Sequence, residues 1–296
     1  MPELPEVHAL VSDLRTRLTG RTIARLDIFA FAALKTYDPP VSALEGLTIG
    51  GVERHGKYLD VRAGDLHLVI HLARAGWLRW REKAPVATVR RGAGPLAARL
   101  VLRSSTADGS SLDDGSGFDL TEAGTKKSLA IHIVRDPQDV ERVATLGPDP
   151  LADTFTEEVL AGILTAAGRS QIKGVLRDQR LIAGIGNAYS DEILHVAKMS
   201  PFKPVNMPPV DVHTLYAAIQ STLRDAVARS EGLAASELKS EKKSNLRVHG
   251  RNGEACPVCG DTVRQVIYAD STFQYCPTCQ TGGKPLADRV LSRLLK

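Results

Sequence analysis

The spacing of the four cysteines constrains this chain more than any other feature. All of them fall in Cys256-x2-Cys259-x16-Cys276-x2-Cys279. Two thiolates two residues apart can both reach one ion from a tight turn, and zinc takes four such ligands tetrahedrally. Pro257 and Pro277 stiffen the two turns, and Gly260 follows the first pair. The pattern predicts one structural Zn2+ per chain, held by Cys256, Cys259, Cys276 and Cys279, with disulfides or a redox pair as the alternatives. Nothing in the module suggests an open catalytic position, so the ion is predicted to hold shape.

Charge placement gives the module a context. Between residues 239 and 251, Lys239, Lys242, Lys243, Arg247 and Arg251 stand against Glu241 alone, a local net charge equal to the +4 of the whole 296-residue chain. A basic segment directly before a metal-stabilised hairpin suits phosphate contacts. Zinc ribbons also serve as protein–protein modules. The overall pI of about 8.9 permits a nucleic-acid partner without requiring one. No apolar run reaches the ~18 residues of a membrane span. The N-terminus is charged and amphipathic, unlike a secretory signal, so a cytoplasmic location and no membrane partner are expected.

The length suggests two domains. Val7, Leu10, Val11, Leu14 and Leu18 follow helical spacing and predict a helix over 5–19, with Gly20 as its stop. Residues 22 to about 135 read as β structure, with strands at Thr22–Ile28, Tyr58–Arg62, Leu66–Leu72, Ala98–Arg103 and Leu129–Val134. The Ser/Gly/Asp-rich stretch Ser104–Gly117 reads as a hairpin tip. About four helices are predicted between 154 and 232. The resulting division is an N-terminal β domain over 1–137, a linker over 138–150, a helical domain over 151–250, the metal module over 251–281 and a basic tail over 282–296.

The chain opens Met1-Pro2-Glu3-Leu4-Pro5-Glu6. Met1 before Pro2 is readily trimmed, which leaves a secondary amine as the terminus. An α-amino group titrates near ~8, so a share of it is neutral at pH 7 and can form a Schiff base. Glu3 and Glu6 lie beside it as acid/base groups. Taken alone, the same six residues also read as a helix start, with Pro in the first turn and acids facing the dipole. Arg54-His55-Gly56-Lys57-Tyr58 puts a basic cluster on a turn, where Lys57 contacts phosphate, assists proton transfer or is simply solvated. In Gly184-Ile185-Gly186-Asn187, a dinucleotide fingerprint fails because Tyr189 occupies the third glycine position. A tight turn with Asn187 opening a helix is the better reading, and such a helix start favours phosphate.

Taken together, these segments resemble the formamidopyrimidine-DNA glycosylase / endonuclease VIII family of bifunctional glycosylase/lyases. The resemblance rests on the opening hexapeptide, Gly56-Lys57-Tyr58-Leu59, His71-Leu72 with Gly76, Leu146-Gly147-Pro148, Ile172-Lys173 with Asp178, Gly184-Ile185-Gly186-Asn187, Val248 with Gly250-Arg251, and the four cysteines. It implies an α+β protein of two domains. An N-terminal β-sandwich is flanked by helices, and a C-terminal helical domain carries a helix–two-turn–helix and a four-cysteine zinc finger. Damaged double-stranded DNA would bind between the domains of a monomer. The implied catalytic residues are Pro2 as nucleophile, Glu3 as acid and Lys57, with Glu6 in support. Arg169, Lys173, Asn187 and Arg251 are the implied backbone contacts.

The chain departs from the family at four places. Ser271 stands where the finger arginine clamps phosphates. Arg74 stands where many members carry an intercalating methionine, and the family's Arg-Arg-Phe-Gly loop is replaced by Ala123-Gly-Thr-Lys-Lys-Ser128. The loop that covers a flipped oxidised purine is compressed into Ser236–Asn245. An oxidised pyrimidine, formamidopyrimidine or abasic substrate is therefore expected ahead of 8-oxoguanine. The alternative is a damage- or abasic-site-binding protein of the same fold that lacks base excision.

Overall fold

A computed structural model of the chain describes residues 1–83, 94–105, 111–267 and 272–286. It separates into two compact units, Met1–Thr145 with Ser230–Leu238, and Leu146–Arg229 with Lys239–Lys296. The sequence reading assigned 230–238 to the helical domain. The structure places it with the first unit because Ala235 and Leu238 are buried in that unit's core and Trp77 Nε1 donates to Ala235 O at 3.0 Å.

In the first unit, helix α1 spans Leu4–Leu18, and the five apolar residues at helical spacing are all buried. Arg15 and Arg17 occupy its last turn, where the helix dipole favours cations. Eight strands follow: β1 (Thr22–Ile28), β2 (Ile49–His55), β3 (Tyr58–Ala63), β4 (Leu66–His71), β5 (Gly76–Arg81), β6 (Leu96–Ser105), β7 (Ser111–Glu122) and β8 (Ala130–Val134). They form two four-stranded antiparallel sheets ordered β1-β6-β7-β5 and β2-β3-β4-β8. Both sheets and α1 bury their apolar residues in one core, including Leu59, Val61, Leu68, Ile131, Leu78, Leu100 and Phe118. Part of the segment read as a hairpin tip is strand, since β7 begins at Ser111; residues 106–110 lie outside the described residues. Strand β3 is buried on both faces except at Arg62. Its second face lies beside the short helix α2 (Glu141–Ala144), whose Arg142 acts electrostatically on Tyr58.

The second unit is helical. Four helices fall between 154 and 232 as the spacing predicts: α3 (Glu157–Ala166), α4 (Ile172–Arg177), α5 (Asn187–Val196) and α6 (Pro209–Ser230). Helix α7 (Leu238–Asn245) follows, then a finger made of β9 (Arg264–Ile267), β10 (Thr272–Tyr275) and α8 (Pro277–Thr281). Strands β9 and β10 pair antiparallel. Among the described residues, no helix is long and apolar enough to cross a membrane. The basic tail lies outside the described residues from 287 onward.

Candidate functional site

The N-terminal hexapeptide is a buried helix start. Met1 is 46% exposed, whereas Pro2 is buried and Glu3 and Glu6 are 2% and 1% exposed. Glu3 is the N-cap of α1. Its backbone N–H donates to Glu6 Oε2 at 2.8 Å, and the two glutamates form a reciprocal capping box. Such a cap stabilises a helix by about 1 kcal/mol. The structural reading of these residues therefore holds, and it also fixes Pro2 and Glu3 at one end of a rigid element. Helix α1 is anchored on β2 through Arg15, whose Nε and Nη2 donate to Val52 O at 3.1 and 2.8 Å.

Lys57 sits in the β2–β3 turn. Gly56 takes φ +55°, a left-handed conformation suited to glycine, and Arg54 Nη1 donates to Gly56 O at 3.0 Å. Lys57 is 7% exposed. Beside it, His71 stacks on Tyr58 with ring centroids 4.6 Å apart. Burial, reinforced by the charges of Lys57, Arg142 and His132, lowers the His71 pKa to about 4. The imidazole is thus neutral at pH 7 and can accept or donate a hydrogen bond among cations. Burial raises the Tyr58 pKa, and Arg142 opposes that shift. Arg142 belongs to no motif in the sequence, and only the packing of α2 reveals it.

Arg74 is exposed on the turn between β4 and β5. The residue before it, Ala73, holds φ +53°, which is rare for a residue with a Cβ. Gly76 closes this turn because a Cβ there would lie 2.0 Å from Leu72 O. The Ala123–Ser128 segment is organised by buried Glu122, whose Oε1 accepts from Ser128 N at 2.7 Å and Leu129 N at 3.0 Å. Part of Ser236–Asn245, read as a shortened loop, is helix α7.

In the helical unit, the turn from α4 to α5 joins the helices that carry Lys173 and Asn187, two of the implied backbone contacts. Gly147 packs against it; a Cβ there would lie 2.5 Å from Leu181 C. Arg169 is exposed. Lys173 does not present its ammonium to solvent as the sequence suggested. It is 1% exposed, and its Nζ reaches Asp191 Oδ1 at 2.5 Å, Ser190 Oγ at 2.8 Å and Asn187 O at 3.3 Å. The same atom lies 4.6 Å from the Phe273 ring centroid. A buried charge needs a counter-charge and filled hydrogen bonds, and Asp191, itself fully buried, supplies the first. Lys173 thereby fixes the first turn of α5, beneath a cavity of about 330 Å³ lined also by Ser170, Gln171 and Asp178. Asn187 is half-buried, and its Nδ2 donates to Thr272 O at 2.9 Å, tying α5 to β10.

Sequence reasoning missed two acids on α5. Glu192 is 4% exposed and accepts from the backbone N–H groups of Arg247, Val248 and His249 at 2.7, 3.0 and 2.9 Å. Asp191 Oδ2 lies 2.7 Å from His249 Nδ1. Together they hold the segment entering the finger. Two adjacent acids on a helix that carries no other Asp, Glu, Lys or Arg were the available signal.

The four cysteine sulfurs all lie within 4.8 Å of one another, with Cys256–Cys279 at 3.9 Å and Cys259–Cys276 at 3.3 Å. Zn–S bonds of about 2.3 Å place tetrahedral sulfurs ~3.8 Å apart, so the cluster fits one such ion. Without a cation, burial pushes the Cys276 thiol up to about 11 and the Cys279 thiol upward as well. A bound metal would hold them as thiolates. His195 Nε2 on α5 lies 3.3 Å from Cys256 Sγ, as an outer-sphere partner would. Arg251 is partly engaged within the finger, donating to Glu254 Oε2 at 2.8 Å and Leu246 O at 3.3 Å. Ser271 lies outside the described residues.

Residues 1–112 match the formamidopyrimidine-DNA glycosylase N-terminal domain, and residues 146–237 match the formamidopyrimidine-DNA glycosylase H2TH domain. A formamidopyrimidine-DNA glycosylase of Symbiobacterium thermophilum is 35% identical over 95% of this chain and 89% of its own length. An uncharacterized formamidopyrimidine-DNA glycosylase-like protein of Mycobacterium tuberculosis is 60% identical over 51% of this chain and 94% of its own. Among solved structures, the Lactococcus lactis formamidopyrimidine-DNA glycosylase bound non-covalently to DNA containing an AP site superposes with a TM-score of 0.77. It is 26% identical, over 94% of this chain and 99% of that one. The Thermus thermophilus protein also gives 0.77, with 29% identity over 96% and 100%. Two matched domains in this order, a β-sandwich fronted by a capped Pro-Glu terminus and a four-thiol finger behind the helical unit agree on one conclusion: the chain belongs to the formamidopyrimidine-DNA glycosylase family.

Proposed function

We propose that this chain is a base-excision-repair DNA glycosylase with AP-lyase activity on damaged double-stranded DNA. The observation that carries the reading is the placement of Pro2 and Glu3, buried and fixed at the capped start of α1 in a member of this family. Similar proteins have been solved with DNA containing an abasic site and with DNA containing carbocyclic 8-oxoguanine.

A damaged nucleotide must leave the stack before its sugar carbon can be reached. After removal of Met1, the Pro2 nitrogen attacks C1′; the new N–C bond forms as the glycosidic bond breaks and the base departs. Glu3 protonates the ring oxygen and the sugar opens to an iminium. That cation acidifies C2′, and loss of its proton expels the 3′ phosphate by β-elimination, with or without a following δ-elimination. Water then hydrolyses the iminium, leaving an aldehyde on the sugar fragment and freeing Pro2. Lys57, beside neutral His71, contacts phosphate near the lesion and supports the proton transfers. Glu6 holds Glu3 in the cap.

Arg169, Asn187 and Arg251 are assigned to the DNA backbone, which positions a duplex without reading its sequence. Lys173 acts one step behind them, by fixing the turn that carries Asn187. Cys256, Cys259, Cys276 and Cys279 hold a structural zinc that shapes the finger. Arg74, exposed on a constrained turn, is suited to fill a vacated base position with its planar guanidinium. With Arg74 in the wedge position and Ser271 in the finger, excision of 8-oxoguanine should be weak relative to oxidised pyrimidines, formamidopyrimidines or abasic sites.

Borohydride trapping tests the proposal. The protein should form a covalent adduct with DNA containing an abasic site, and the adduct should vanish in Pro2→Gly and in chains that retain Met1. Retained duplex binding without any adduct would establish the non-catalytic alternative, which the altered wedge and finger residues favour. Efficient 8-oxoguanine release opposite cytosine would refute the substrate assignment.

A further inference from the structure

The outer face of the β2-β3-β4 sheet carries a cluster that the reaction does not use. Glu53 and His55 are two residues apart on β2 and so share a face. Asp60 on β3 stands directly opposite Glu53 in the strand register. His67 on β4 is the diagonal neighbour, since Asp60 pairs with Val69. Asp60 is 2% exposed. Its Oδ2 lies 3.0 Å from His55 Nε2, and both of its oxygens lie 3.0 Å from His67 Nδ1.

Two carboxylates directly opposite each other on one sheet face repel. Among the described residues, no lysine or arginine pairs with Glu53 or Asp60. Among the described residues, the side chains that bond the Asp60 carboxylate are the two imidazoles. One ligand atom each from Glu53, His55 and Asp60 lies within 4.8 Å of the others. For bonds of about 2.0–2.2 Å to nitrogen and oxygen, tetrahedral ligands sit roughly 3.4 Å apart; His55 Nε2 and Asp60, 3.0 Å apart, would part slightly and Glu53 would swing in to share one ion.

We propose that Glu53, His55 and Asp60 form a second metal site, for a divalent transition ion of the zinc class. The nitrogen-plus-two-carboxylate donor set suits zinc, cobalt or manganese, and the imidazole favours the first two over magnesium or calcium. His55 binds through Nε2 and keeps its proton on Nδ1. His67 keeps its hydrogen bond to Asp60 Oδ1 once Oδ2 turns to the ion and so orients the carboxylate, as outer-sphere partners of metal carboxylates do. The ion relieves the Glu53–Asp60 repulsion and clips β2 to β3 within a few residues of the turn that carries Lys57.

The test uses the full chain with its cysteine site already loaded with zinc, titrated with Co2+ and followed by visible absorption and by bound metal per chain. One further equivalent should bind, with the weak visible bands of a nitrogen/oxygen site and no added thiolate charge-transfer band. His55→Ala should abolish this binding. Glu53→Gln, at an exposed position that does not threaten folding, should weaken it at least ~10-fold, and His67→Ala should weaken it ~10–100-fold. Saturation at one metal ion per chain would overturn the proposal and leave the imidazoles as hydrogen-bond donors to Asp60. A second equivalent that persists unchanged in both His55→Ala and Glu53→Gln would overturn it as well.

Discussion

Lys173→Met separates two roles for a lysine that sequence reasoning assigned to DNA. In the structure its ammonium is 1% exposed and 2.5 Å from a carboxylate of Asp191 that is fully buried. Removing one partner of a buried pair strands the other charge, at a cost of about 3–5 kcal/mol. His249 Nδ1 at 2.7 Å from the same carboxylate offsets part of that loss, which places the expectation at the lower end, about 3 kcal/mol. That is roughly a 150-fold shift in the unfolding equilibrium. Both tryptophans, Trp77 and Trp80, lie in the first unit, so their fluorescence does not report on this site. Urea unfolding should be followed instead by helical circular dichroism, because α3 to α6 dominate that signal. Lys173→Met should lower the urea midpoint, and adding Asp191→Asn in the same chain should recover at least ~1 kcal/mol, the coupling expected of contacting residues. The salt dependence of duplex binding should keep its slope, since no phosphate contact is removed. An unchanged urea midpoint, together with a salt slope reduced by about one, would refute this reasoning and show that Lys173 touches phosphate directly.

Four further outcomes rest on the same geometry. Gly76→Ala should destabilise the first unit by about 3 kcal/mol, read by tryptophan fluorescence in urea, because its Cβ would meet Leu72 O at 2.0 Å. Gly162→Ala on α3, with nothing within 4 Å, should instead stabilise by ~0.5–1 kcal/mol. His71 has its pKa lowered in the fold to about 4, so the unfolded chain takes up its proton first on acidification. The stability tied to neutral His71 is complete above the unfolded value of ~6.5 and declines as pH falls towards 4, by up to ~3 kcal/mol. Urea midpoints at pH 7 and pH 4.5 should diverge less in His71→Gln than in the parent chain. Chelation of the finger metal should release β10 and with it the Thr272 carbonyl that holds Asn187; duplex affinity should fall and return on adding Zn2+.

Much of this protein was legible before any coordinates. The helix at the N-terminus follows from five apolar residues at helical spacing, and all five are buried. The four strictly spaced cysteines converge. The order of short motifs identified the family because each motif is local: a glycine that closes a turn, or a proline that starts a helix, does so through its immediate neighbours. Glycines 76 and 147 are explained afterwards by backbone contacts at 2.0 and 2.5 Å, but their positions were already visible in the sequence.

Helix α1, the four helices of the second unit and the convergence of the cysteines are readable from the chain alone, because propensity, capping and ligand spacing act over a few residues; α7 and the start of β7 are not. Tertiary structure alone decided which charges are enclosed. Lys173 reads as a surface cation until Asp191, 18 residues away, and Phe273, 100 residues away, close around it. Arg142 belongs to no motif until α2 brings it to Tyr58 and His71. Asp60 looks like an ordinary strand acid until two neighbouring strands offer it imidazoles. The physical reason is common to all three: the free energy of a charge depends on its solvation and its partners, and both are set by chain segments distant in sequence.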